Sequence, residues 1–148
     1  MIQLGISAFF HDSAACLVKN GKVIAAAEEE RFTEIKHDSS FPTNAIKWLL
    51  SYTKIPITNI DSVCWYEDPE KKDKRVYKSF NRHFFKTFKL RRKYSKDKKL
   101  RDPILLLSEI GYEGPIEYVD HHRSHAAFSY FSSKYDEAAI LAIDGVGE

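Results

Sequence analysis

The stretch Ile2–Glu30, IQLGISAFFHDSAACLVKNGKVIAAAEEE, decides the fold. Ile2–Ala8 is an apolar run that ends in Phe9, Phe10, His11, Asp12 and Ser13. Ala14–Lys19 resumes as a strand, and Lys22–Ala27 is a third apolar run. Asn20-Gly21 stands between the last two. A two-residue type I′ turn needs positive φ at both central positions, which Asn and Gly tolerate, so the pair predicts a hairpin. The reading is three consecutive strands, the second and third antiparallel.

Further along, Glu28–Glu30 reads as solvated, apart from a residue pairing with Arg31. A loop runs through Lys36–Ser40, and Pro42 and Thr43 open a helix with Ile46, Leu49 and Leu50 at helical spacing. Val63–Tyr66 is a short strand bounded by Asp61 and Pro69. Residues 71–101 read as a basic helix in which Tyr77, Phe80, Phe84 and Phe88 recur every three or four positions. Pro103 interrupts it, and Ile104–Leu107 begins another short apolar stretch. Ile116–Val119 is a strand, His121 to about Tyr130 a helix, and Ala138–Ile143 a buried strand ending at Asp144. This order predicts an α/β domain with a mixed β-sheet flanked by helices.

A length of 148 residues suits one domain with a real core. With 43% hydrophobic and 30% charged residues, the composition excludes a membrane protein and a disordered chain. The longest apolar run, Ala138–Ile143, falls far short of the ~18 residues of a span. The N-terminus has no basic region ahead of an apolar stretch, so the expected location is cytoplasmic. Cys16 and Cys64 lie inside strand-like segments and read as buried thiols. The net charge of +2 conceals an asymmetry: residues 71–101 hold fifteen Lys/Arg against Asp73 and Asp97, giving +13, and the remainder carries −11.

Several residue groups suggest chemistry. In Asp120-His121-His122-Arg123-Ser124-His125, His121 and His125 fall on one helical face and suit a shared metal ion. The plainer alternative is a polar helix start with Asp120 as N-cap. Asp144 precedes Gly145-Val146-Gly147 at the expected mouth of an apolar strand, where α/β sheets bind ligands and glycines let backbone N–H groups approach a phosphate. Two histidines and a carboxylate form a facial triad suited to Fe(II) or another divalent ion. His11 and Asp12 lie in a second ligand-facing loop, or else cap a hairpin. Arg31, Lys36 and His37 form a cationic loop able to hold an anion, or simply surface charge. The basic segment reads as an amphipathic helix with a solvated face, or as a dock for a polyanion or partner.

Together these strings resemble the N-terminal part of the O-carbamoyltransferases of the nodulation and antibiotic-tailoring type. The resemblance is carried by Gly5-Ile6-Ser7, His11-Asp12-Ser13-Ala14-Ala15 and Glu28-Glu29-Glu30-Arg31-Phe32-Thr33. It continues through Lys36–Pro42, His121–Ala127 and Asp144–Glu148, and omits only the basic segment. It implies the first half of an actin-like, ribonuclease-H-like domain over residues 1–148, similar to the tRNA threonylcarbamoyl-transfer proteins, with residues 71–101 as a helical insert. It also implies that the second half and an adenylate-forming domain lie elsewhere, with a C-terminal partner chain possible. The implied reaction passes a carbamoyl group from carbamoyl-adenylate, made from carbamoyl phosphate and ATP, to a hydroxyl of a sugar or natural product. By motif, His121, His125 and Asp144 are implied metal ligands, with iron the family's usual ion; Asp144, Gly145 and Gly147 meet the nucleotide; His11 and Lys36 line the reaction centre. The alternatives are a tRNA-modifying relative, with the basic segment on RNA phosphates, and a non-catalytic binding or assembly module. The loop around His11 favours the tailoring type over nucleic acid.

Overall fold

The computed structural model describes residues 1–81, 92–98 and 100–143. Its centre is a five-stranded sheet in the order β3-β2-β1-β4-β5, built from β1 (Ile2–Ser7), β2 (Ala14–Lys19), β3 (Lys22–Glu28), β4 (Ser62–Trp65) and β5 (Ile116–Tyr118). β1–β2 and β2–β3 are antiparallel, whereas β1–β4 and β4–β5 are parallel. Asn20 and Gly21 turn the β2–β3 hairpin with φ of 51° and 77°, as their residue types require. The mixed α/β sheet flanked by helices is the expected class, consistent with an actin-like half-domain.

Side-chain alternation sets the core. Leu4 and Ile6 of β1, Ala15 and Leu17 of β2, and Val63 and Trp65 of β4 are all buried. α2 (Thr43–Thr53) lays Ala45, Ile46 and Leu49 over that face after the short α1 (Glu30–Thr33). The opposite face, carrying Gly5, Cys16 and Ala26, opens on a wide apolar groove edged by Phe128. Cys16 and Cys64 are half-buried free thiols. Among the described residues no helix is long and apolar enough to cross a membrane.

The segment read as one basic helix is α3 (Pro69–Asn81) followed by helical residues 92–98; Phe84 and Phe88 lie outside the described residues. Tyr77 Oη meets Ser95 Oγ at 3.2 Å, and Tyr94 donates to Asp73 at 2.8 Å, tying the two pieces together. Pro103 opens α4 (Pro103–Glu109), where the missing N–H costs nothing and Asp102 caps Ile104 N–H at 2.9 Å. α5 runs His121–Phe131.

Two expectations are overturned. Ala138–Ile143 is not a buried strand: its residues have no regular structure and are exposed, Leu141 and Ile143 by more than 80%. Apolar content alone does not make a strand. The described residues give this run neither a pairing edge nor a covering layer. The acidic run Glu28–Glu30 is not uniformly solvated either. Glu29 is 2% exposed and accepts Asn44 N–H (3.1 Å), Asn44 Nδ2 (2.7 Å) and Ala45 N–H (2.9 Å). Its carboxylate supplies the N-terminal cap that Pro42, lacking a side-chain acceptor, cannot give to α2.

Candidate functional site

β1, β4 and β5 run parallel, so the loop after β1, the Tyr66-Glu67 exit of β4 and the start of α5 gather at one edge of the sheet. Open α/β sheets take ligands at the carboxyl ends of their strands. The β1 loop is fixed by Phe9 N–H to Ser39 C=O (2.9 Å) and Ser13 N–H to Asp38 C=O (2.8 Å), which bind it to the loop after α1. Asp38 is buried and accepts Ser40 N–H (2.8 Å) and then the Thr33 hydroxyl (2.7 Å), bonds that hold its carboxyl below the usual range.

These anchors bring two histidines to one carboxylate. Asp12 Oδ2 lies 2.7 Å from His11 Nδ1, and Asp12 Oδ1 lies 2.7 Å from His37 Nδ1. Asp12 and His37 both adopt left-handed backbone, with φ of 55° and 57°, and Glu30 Oε2 accepts His37 N–H at 2.9 Å. The hydrogen bond to Asp12, and then its charge, raise the His37 pKa; the hydrogen bond from His37, and then that from His11, lower that of Asp12. Lys36 is exposed beside them with no carboxylate at ion-pair distance among the described residues. Arg31 is held by Glu28 (2.9 Å) and reaches the group only through Glu30 (3.4 Å).

On α5, His121 Nε2 and His125 Nε2 face each other at 3.2 Å. With nitrogen–metal bonds of about 2.1 Å, that separation corresponds to roughly 100° at a shared ion, between octahedral and tetrahedral values. The pair therefore fits a divalent metal. His122 points elsewhere: its Nε2 is buried without a hydrogen-bond partner among the described residues. Asp120 flanks the helix, but its carboxylate does not cap it; it pairs with Lys71 of α3 instead. Asp144, Gly145 and Gly147 lie outside the described residues. Ring contacts at 6.2–6.3 Å run from Phe9 through Trp65 and Tyr66 to His121, linking the first loop to the histidine pair.

Residues 2–148 match the family described as Carbamoyltransferase N-terminus. The chain belongs to this family. The chain is 40% identical to an uncharacterized protein of Synechocystis sp. over 98% of its own length and 25% of that protein. It is 34% identical to the nodulation protein NolNO of Sinorhizobium fredii, over 95% of this chain and 20% of that one. It thus spans a quarter or less of these curated relatives.

Within this family member, the sequence singled out His11, Lys36, His121 and His125, but not the roles of Asp12, Glu30 and His37 as one cluster. The oxygen and nitrogen atoms that those three offer lie within 4.8 Å of one another. The only local signal was the His-Asp adjacency, repeated at His11-Asp12 and His37-Asp38.

Proposed function

We propose that this chain supplies the first half of the actin-like catalytic domain of an O-carbamoyltransferase. The observation that carries the reading is the His121–His125 pair, Nε2 to Nε2 at 3.2 Å, at the same sheet edge as the His11–Asp12 pair. The donor is carbamoyl-adenylate, formed from carbamoyl phosphate and ATP, and the acceptor is a hydroxyl of a sugar or natural product. His121, His125 and Asp144 would hold a divalent ion, iron by family resemblance, which when bound supplies positive charge against phosphate. Asp144, Gly145 and Gly147 would meet the nucleotide.

The chain's own residues divide the remaining work. With His11 Nδ1–H donating to Asp12, Nε2 is the lone-pair nitrogen able to take the acceptor's proton. The acceptor oxygen forms a bond to the carbamoyl carbon, the bond from that carbon to the phosphate oxygen breaks, and adenylate leaves. Lys36 stabilises charge gathering on the carbamoyl or phosphate oxygens. Pairing of Lys72 and Arg75 with Glu67, and of Lys98 with Asp73, argues against those cations serving RNA phosphates.

Metal analysis tests the centre. His121→Ala and His125→Ala should each remove the bound iron while circular dichroism keeps the helix and strand content. Full occupancy in both variants would sink the assignment.

A further inference from the structure

A cavity of about 160 Å³ lies between the C-terminal ends of β1 and β4 and a helical wall that presents Lys72, Asp73, Tyr94 and Lys98. Trp65, 3% exposed, contributes from the core side. Phe9, Tyr66 and Tyr118 line it from the sheet, and Tyr94 from the helical wall. The volume is close to that of an apolar cavity that accepts one benzene molecule, about 150 Å³. It therefore suits one six-membered ring and is too small for a nucleotide.

The charges around the cavity argue for an uncharged guest. Glu67, 6% exposed, accepts Lys72 at 2.7 Å and Arg75 at 3.0 Å. Asp73 pairs with Lys98 and accepts the Tyr94 hydroxyl, and the Arg101 guanidinium lies 5.5 Å from the Phe9 ring centre. An anion or cation entering here would compete with the Lys72, Arg75 and Lys98 pairs, and the remaining charges of the lining, Arg101 against Asp97 and Asp102, leave it without a strong excess of either sign. Hydroxyl groups, which donate and accept, can join the paired groups without separating them. Aromatic walls with a few fixed polar groups are the usual make-up of a small-molecule site.

We propose that this cavity seats a single uncharged, hydroxyl-bearing six-membered ring, and that Lys72, Asp73, Tyr94, Lys98 and Arg101 form its specificity-determining wall. The ring's use as carbamoyl acceptor rests on the function proposed above; its binding does not. Tyr66 lines the cavity and meets the His121 ring edge-on at 6.2 Å, and Phe9 stands two residues before His11. A ring seated here is thus next to both histidine groups.

The test is a ¹H–¹⁵N correlation titration of the chain with methyl glucoside, a saturated ring, and with resorcinol, an aromatic one. Trp48 stacks on Tyr52 and does not line the cavity; Trp48→Phe assigns its indole peak. The Trp65 indole peak should move saturably with at least one probe, at a midpoint of about 1–10 mM, while the Trp48 peak stays. The responding probe identifies the ring type. Tyr94→Ala should raise that midpoint by about tenfold or more, and Lys98→Met replaces it if Tyr94→Ala fails to fold. The proposal is overturned if neither probe saturates, if both indole peaks move together, or if the wall variant leaves the midpoint unchanged. Saturable binding together with full iron occupancy in both His121→Ala and His125→Ala would instead overturn the catalytic reading and leave the cavity standing.

Discussion

The Glu29 carboxylate satisfies two backbone N–H groups at the start of α2 and the Asn44 side chain, from a position fourteen residues before that helix begins. Glu29→Gln keeps the shape but removes the charge, so it should cost about 1–3 kcal/mol in urea unfolding; a change within error would show that the cap is dispensable. Asp12 acts through charge on a more exposed pair. Because its carboxylate raises the His37 pKa, the contact is fully present below the ordinary imidazole value of about 6.5 and fades as pH rises through the raised one. The Asp12 side of the pair is lost in the other direction, on acidification through its lowered pKa. Asp12→Asn should therefore lower the His37 midpoint in an NMR titration, and an unmoved midpoint would remove Asp12 as the cause. The His11-Asp12 pair was legible as neighbours in sequence. Its link to His37, twenty-five positions away, depends on two non-glycine residues in left-handed backbone, which no spacing rule announces.

At the scale of elements, the three strands and the β2–β3 hairpin were legible because apolar runs and Asn20-Gly21 are both local signals. The run Ala138–Ile143 was misread because a strand is defined by its neighbours, and composition does not show whether an edge is within reach. The β1–β2 register adds a requirement that single residues conceal. Gly5 stands opposite Cys16, and a Cβ built on Gly5 would lie 2.8 Å from Cys16 Sγ. Gly5→Ala should destabilise the sheet by about 1–3 kcal/mol. Adding Cys16→Ala should recover part of that loss in thermal unfolding; strict additivity of the two changes would place the cause elsewhere.

Across the whole molecule, α2 covers one face of the sheet, while the other leaves a broad apolar groove. Phe128 and Phe131 of α5 are 77% and 82% exposed. Apolar surface of this kind binds hydrophobic dyes. The chain should enhance anilinonaphthalene sulfonate fluorescence, and Phe128→Ser with Phe131→Ser should cut the signal by at least about half while circular dichroism is unchanged. Persistence of the full signal would locate the dye elsewhere. The division of charge has a different outcome from the one its size suggests, since several cations of the insert face carboxylates of the body and of the insert itself. One of these contacts, Lys71 with Asp120, fastens the first turn of α3 to the residue just before His121, while Tyr94 and Lys98 further along line the cavity. The consequence is evolutionary. A lineage that altered this insert would change the shape of the cavity and the footing of the histidine helix in one step, so the two would vary together.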